Sequence, residues 1–342
     1  ETGEPYLMFE DAVNADLPDF QKRKGLYVNH SNLCSEITLA TNEERTAVCC
    51  LSSVNLEYYD EWKNIPAFIP DLVRMLDNVL EYFINNAPSQ MEKAKYSAFR
   101  ERSIGLGAMG FHAYLQRNNI PFESIGAAGK NHEMFKTIKE KALEETRRLA
   151  VERGACPDDD SCEVRNAHLL AIAPNASSSI ICGNTSPSIE PFRANAFTQK
   201  TKSGSFLQKN KYVEQLLDKK GMNTDSVWKD IVANKGSVQH LEILTPEEKE
   251  VFKTAVEINQ SWVVEHAAER QQFICQSQSV NLFFPPDVNK GELHNVHMLA
   301  WAKNLKTLYY LRSEAISRAD NVSSKVKREI IFEQEDCLAC EG

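Results

Sequence analysis

Apolar residues along this chain change period several times, and each change marks a predicted element. Tyr6-Leu7-Met8-Phe9 is a short mixed run ahead of a polar stretch with Pro18, which predicts a short strand leading into a loop. Between residues 45 and 56, Val48, Leu51, Val54 and Leu56 stand among small residues, the pattern of a buried strand. Turn-forming Pro66 and Pro70 follow, and then Leu72, Leu76, Val79, Leu80 and Phe83 recur at helical spacing after Asp71, predicting a long amphipathic helix. Another helix is predicted over 131–153, with Phe135, Ile138, Ala142 and Leu149 on one stripe and Gly154 as its stop. Leu169-Leu170-Ala171-Ile172-Ala173 reads as a short strand ending at Pro174, and the polar, lysine-bearing stretch 198–241 as surface loops and short helices. Thr245, Pro246 and Glu248 form a helix start whose helix is expected to run toward Phe273. Val280-Asn281-Leu282-Phe283-Phe284 reads as a strand, and a helix over 292–306 leads to Leu308-Tyr309-Tyr310-Leu311. Strands alternating with helices, with no internal repeat, predict an α/β architecture.

Composition narrows the class without altering that picture. At 342 residues, with 42% hydrophobic and 25% charged residues, the chain has the balance of a soluble globular protein and can bury a sizeable core. A net charge of -9 with no basic block argues against general nucleic-acid binding. No apolar run reaches the ~18–20 residues of a membrane span, and the first residues do not form a signal peptide. Nine cysteines, an odd number spread over a long chain, do not form a secreted disulfide framework, so reduced cytoplasmic thiols are expected. The first residue is not Met, so a piece of a longer protein, or the product of a split or processed one, is also expected.

Chemistry concentrates in a few stretches. In Ser31-Asn32-Leu33-Cys34-Ser35-Glu36, an extended backbone would point Asn32, Cys34 and Glu36 to one face. An amide, a thiol and a carboxylate together can anchor a substrate, attack it and move a proton; the plainer reading is a buried cysteine with polar loop neighbours. Cys49 and Cys50 would lie on opposite faces of a strand, and periodicity does not choose between them. Pro174-Asn175-Ala176-Ser177-Ser178-Ser179 ends an apolar strand and opens a helix, which suits either an anion cradle or an ordinary turn. Tyr309-Tyr310 is either a pair of core-edge aromatics or a relay, since adjacent phenols can pass an electron and proton. Cys337-Leu338-Ala339-Cys340 in the acidic tail could bind metal, be inert or shuttle a dithiol, but it lacks the second pair of a zinc site. Gly105, Gly107 and Gly110 match G-x-G-x-x-G with only part of the context that nucleotide binding requires.

Read in order, Asn32-Leu33-Cys34-Ser35-Glu36-Ile37, Ala47-Val48-Cys49-Cys50-Leu51-Ser52-Ser53-Val54-Asn55-Leu56, Pro174 to Ser179, Ser188-Ile189-Glu190-Pro191, Leu305-Lys306-Thr307-Leu308-Tyr309-Tyr310 and Cys337 to Cys340 resemble the large catalytic chain of class I ribonucleotide reductases. The resemblance covers nearly the whole chain. It implies the second half of a ten-stranded α/β barrel over residues 1–322, with a central finger loop at about 29–44, surface helices, and a flexible redox-active tail at 323–342. The glycines at 105–110 would then be barrel wall, where backbones pack closely.

The resemblance also implies roles. Cys34 becomes the thiyl radical that takes the ribose 3' hydrogen, Glu36 accepts the 3'-hydroxyl proton, and Asn32 holds the substrate. Cys49 supplies one reducing thiol, while Asn175, Ala176, Ser177 and Ser178 hold substrate phosphate. Ala176 replaces an acidic residue found in some members, so backbone contacts must suffice there. Tyr309 and Tyr310 carry the radical equivalent inward, and Cys337 with Cys340 re-reduces the active-site disulfide. Cys156, Cys162, Cys182 and Cys275 match no catalytic position and read as structural.

The implied substrate is a ribonucleoside diphosphate. No cofactor or metal is expected on this chain; a metal-containing small subunit supplies the radical, and thioredoxin or glutaredoxin the electrons. The partner of Cys49 and the effector sites are expected on a second large-subunit chain, and the location is the cytoplasm, or a host's cytoplasm if the protein is phage-encoded. Two other readings remain: a non-catalytic assembly or regulatory fragment, and a thiol-disulfide oxidoreductase, the latter lacking a thioredoxin-like pattern around its dithiol.

Overall fold

Parallel pairing of short, buried segments organises the computed structural model, which describes residues 3–4, 6–201 and 204–313. Leu51–Asn55 pairs in parallel with Gly105–Met109, in register from Leu51↔Gly105 to Asn55↔Met109. Parallel bridges then join Leu106 to Leu170 and Ile172 to Gln278. The Tyr309 N–H donates to the Val280 carbonyl at 2.8 Å, and Leu282–Phe283 pairs in parallel with Leu311–Arg312. The segments 51–55, 105–109, 169–173, 276–284 and 307–312 therefore stand side by side in chain order as one wall. Leu7–Met8 adds an antiparallel partner along Thr307–Leu308. This is the α/β architecture that the alternation of strand and helix predicts.

Two glycines explain how the wall closes up. A Cβ on Gly107 would sit 2.5 Å from the Ala171 carbonyl oxygen, and one on Gly105 would strike the Leu51 side chain. Backbone at Gly107 and a packed side chain at Gly105 leave no room for a Cβ, so both glycines serve packing. A continuous core spans the wall and its helices, including Val54, Leu106, Ile138 and Leu282.

The helices begin and end where local chemistry dictates. Phe68–Asn86 starts ahead of Asp71 because Pro70 falls in the first turn, where its missing N–H has no partner to lose. Leu76 and Leu80 face the core, whereas Val79 is turned outward and is 52% exposed. Ile125–Arg153 is longer than expected: the Ser124 side chain accepts from the Ala127 N–H, and Gly154, with φ +87°, ends it.

The helix expected from Thr245 to Phe273 is two helices, Pro246–Val251 and Gln260–Gln271. Thr245 and Glu248 form the capping box, but the Thr254 N–H and hydroxyl both donate to Glu257, at 2.7 and 2.8 Å, and the Asn259 side chain caps the second helix. These side-chain bonds take the intervening backbone out of the helix.

Residues 198–241 are more ordered than the sequence predicts. Ala196–Thr201 and Gly204–Lys209 form an antiparallel hairpin, and Lys211–Lys219 and Asp225–Ala233 are helices. Val213, Leu217 and Trp228 build a second, smaller core with Val251 and Phe252. Among the described residues no helix is long and apolar enough to cross a membrane.

Candidate active site

The finger loop lies against the wall because its underside is apolar: Ile37 and Leu39 pack on Ala171, beside Ala47 and Leu51. The Ser277 N–H donates to the Glu36 carbonyl at 2.9 Å and pins the loop to the next segment. At its tip the backbone is turned, not extended. The Ser35 N–H donates to the Asn32 carbonyl at 3.2 Å, and the Asn32 N–H to the Ile37 carbonyl at 3.2 Å.

Ser35 takes φ +69°, left-handed backbone that a non-glycine residue adopts at a cost. Strand alternation is therefore the wrong reason for grouping Asn32, Cys34 and Glu36, and the turn is the right one. The Asn32 side chain accepts from the Ile37 N–H at 3.0 Å and also bonds the Glu36 carboxylate.

Glu36 is buried, and burial raises its pKa; bonds from its own backbone, from Asn32 and from Ser279 offset part of that rise. The Ser279 hydroxyl lies 3.2 Å from Glu36 Oε2 and also donates to the Cys34 carbonyl, so one side chain ties two site residues to the wall. Residue-type reasoning missed Ser279. Its signal is the alternation of polar residues Ser277, Ser279 and Asn281 along a fully buried extended segment.

Cys34 meets the tyrosines directly, with the Tyr309 hydroxyl donating to Cys34 Sγ at 3.8 Å. The Tyr309 and Tyr310 rings are 4.4 Å apart between centroids. Tyr6 completes a cluster, at 4.7 Å from Tyr309 and 4.9 Å from Tyr310. Burial and then Cys34 raise the Tyr309 pKa far above the ordinary phenol value, so the protonated phenol is the favoured form. The Tyr310 N–H donates to Asn281 Oδ1 at 3.0 Å, the Asn281 amide donates to buried Glu190, and the Arg312 guanidinium covers the Tyr310 ring at 4.3 Å.

The two adjacent cysteines point opposite ways. Cys50 is in the core with its thiol on the Leu76 carbonyl at 3.6 Å, while Cys49 opens toward solvent. Protein packed around the inner side of Cys49 pushes its thiol up to about 12, with Glu36, Cys50 and Cys34 near enough to add to the rise. Cys156 is buried and Cys275 half-buried, whereas Cys162 and Cys182 are exposed.

The segment after Ala173 turns at Asn175, whose φ is +54°, into the short helix Ala176–Ile181. The Ser53 hydroxyl donates to Asn175 Oδ1 at 3.2 Å, joining this turn to the strand that follows Cys49. The Ser179 hydroxyl folds back on the Ala176 carbonyl at 3.0 Å, while Ser177 is exposed and Ser178 half-buried. Cys337 and Cys340 lie outside the described residues, as does the expected tail at 323–342.

The family model described as the ribonucleotide reductase barrel domain matches residues 1–163 and 160–311. This chain belongs to that family. It is 49% identical, over 100% of its length, to the ribonucleoside-diphosphate reductase large subunit of Invertebrate iridescent virus 3, of which it covers 55%. It is 54% identical, over 85% of its length, to the large subunit of that name from Invertebrate iridescent virus 6, of which it covers 31%. Among solved structures, the Actinobacillus ureae class Id ribonucleotide reductase alpha subunit matches 92% of this chain with a TM-score of 0.86 and 43% identity, and 59% of that protein is covered. Family membership makes the parallel wall part of a ribonucleotide reductase barrel. The chain spans between 31% and 59% of the length of these relatives.

Proposed function

We propose that this chain carries the radical chemistry of a ribonucleoside-diphosphate reductase, as residues 1–322 of a barrel half with a redox tail at 323–342. A second chain completes the large subunit, and a separate metal-containing small subunit supplies the radical. In this reading Tyr310 and then Tyr309 relay an electron and proton, and the Cys34 S–H bond breaks as the Tyr309 O–H bond re-forms. The Cys34 thiyl takes the ribose 3' hydrogen. Glu36 takes the 3'-hydroxyl proton while Asn32 bonds the substrate, and the 2'-hydroxyl departs as water.

Two thiols, Cys49 and one from the completing chain, supply two electrons and two hydrogens, one leaving with the 2'-hydroxyl as water and one arriving at the 2' carbon, and close into a disulfide, while Glu36 gives its proton back to the 3' oxygen. Cys34, now a thiol, then returns its hydrogen to the 3' carbon and becomes the thiyl again, which regains a hydrogen from Tyr309 as the radical passes back out. Cys337 and Cys340 reopen the disulfide and are themselves reduced by thioredoxin or glutaredoxin. Asn175, Ala176, Ser177 and Ser178 hold the diphosphate through backbone N–H groups and the two outward serines.

The observation that carries this reading is the Tyr309 hydroxyl at 3.8 Å from Cys34 Sγ, on the loop that also buries Glu36. The test is Cys34→Ser in the enzyme reconstituted with its partner chains. Nucleotide reduction should fall below detection while substrate binding persists. Turnover at the wild-type rate would leave only the role of an assembly or regulatory fragment.

A further inference from the structure

We infer that Asp158, a loop residue remote in sequence from every group in the proposed reaction, is a positioning residue that clamps both legs of the finger loop. The inference rests on the proposed role of Cys34. On the outgoing leg the Arg45 guanidinium is bidentate on the Asp158 carboxylate, Nη1 to Oδ2 at 2.7 Å and Nη2 to Oδ1 at 2.8 Å. On the incoming leg Lys24 Nζ donates to the Asp158 carbonyl and to Asp160 Oδ1, the latter at 2.7 Å. Arg100 adds a third cation, its Nε 3.0 Å from Asp158 Oδ1, and its carbonyl accepts the Asp158 N–H at 2.9 Å.

Asp158 is fully buried and Arg45 nearly so, at 0% and 6% exposure. A fork geometry in such a place tolerates little displacement. The loop bearing Asp158 is itself fixed, because the Asp159 carboxylate accepts the N–H groups of Ser161, Glu163 and Val164 at 3.0, 2.7 and 2.9 Å.

The clamp supplies what the finger's other contacts leave open. Packing of Ile37 and Leu39 on Ala171 presses the loop to the wall, and Ser277 and Ser279 fix the segment beside Cys34. Farther down, the legs touch through the Thr41 N–H on the Tyr27 carbonyl at 3.3 Å and the Asn29 amide on the Thr41 carbonyl at 2.9 Å. Those contacts hold the tip of the finger on the wall. Holding Lys24 and Arg45 on one residue fixes the base of both legs, so tip and base together set the separation of Cys34 from Tyr309. Misplacing a reacting atom by about 1 Å costs on the order of 10²-fold in rate.

The test uses the completed enzyme carrying Asp158→Asn, with Arg45→Lys as a second variant that keeps the charge and loses the planar fork. Asp158→Asn should lower kcat on the order of tenfold or more, and Arg45→Lys less, with KM for the nucleotide little changed. Peptide-resolved hydrogen exchange should quicken over residues 24–45 and stay at its wild-type rate over 169–183.

Wild-type kcat in both variants would overturn the clamp. So would a parallel loss of kcat, KM and protection across the whole chain, which is a purely structural role. If Asp158→Asn does not fold, Arg45→Lys decides by the same readings. Cys34→Ser, run alongside, separates the two ideas. If it is inactive and both clamp variants are fully active, only the clamp fails; if it turns over normally, the reading of Cys34 fails and takes the clamp with it.

Discussion

Glu36 is held at 2% exposure with its carboxylate bonded by Asn32 and Ser279, and burial outweighs those bonds to raise its pKa. As the proposed base, Glu36 must be ionised before it accepts a proton, so activity should fall as pH drops through this raised value. The acid limb of the kcat profile then lies above the ordinary carboxylate range of about 4.3. Glu36→Gln keeps an acceptor for the Ser279 hydroxyl and removes the base. It should cost about 10²–10⁴-fold in kcat and abolish that limb. A glutamine variant that keeps the limb would assign it to another group.

Residue types alone make Asn32, Cys34 and Glu36 a plausible set, but alternation does not explain their meeting, because Ser35 turns the chain. Tyr6 carries no local mark of its place in the cluster, since it reaches Tyr309 and Tyr310 only through long-range pairing of Leu7–Met8 with Thr307–Leu308.

At the scale of elements, apolar period locates the helices well and misplaces their ends where side chains compete for backbone, as at Thr254 and Asn259. The wall strands are legible as apolar runs, whereas their closeness is legible only in the glycines. Gly107→Ala should destabilise the chain by about 1–3 kcal/mol, because the new methyl meets the Ala171 carbonyl oxygen and backbone cannot step aside. Gly129→Ala, exposed in the Ile125–Arg153 helix with nothing within 4 Å of a new Cβ, should instead stabilise it by about 0.5–1 kcal/mol. Urea unfolding of the pair checks both signs. A neutral Gly107→Ala would mean that the wall is looser than its contacts imply.

For the whole molecule, buried histidines decide how stability responds to acid, and no pattern in the sequence marks them as buried. His112 accepts the Phe192 N–H at 2.9 Å, His168 meets the Ser103 hydroxyl at 2.8 Å, and His266 donates to the Phe122 carbonyl at 2.8 Å. Burial lowers their pKa values to about 3, about 3 and about 4. In the unfolded chain each returns to about 6.5, so below that pH the unfolded state binds protons that the fold excludes, and stability is lost as pH falls. Once all three are protonated in the unfolded chain, the loss approaches about 4 kcal/mol per pH unit.

Glu101 opposes it. Fully buried between Gln21 and Ser97, its carboxyl is pushed up to about 7, so the fold holds a proton that the unfolded chain releases, and stability rises as pH falls. One such group supplies up to about 1.4 kcal/mol per pH unit, and Glu36 and Glu190, also raised by burial, act in the same direction, so the carboxyls offset part of the histidine loss. Against a typical total of about 5–15 kcal/mol, the part of the histidine loss that the carboxyls leave uncompensated is a sizeable fraction of the stability. The urea midpoint should therefore fall steadily from pH 6.5 to 5. Glu101→Gln should make that fall steeper and raise the midpoint above pH 7, where the wild-type carboxylate is ionised in a dry site. A midpoint that stays level from pH 6.5 to 5 would mean that these histidines take up protons in the folded chain.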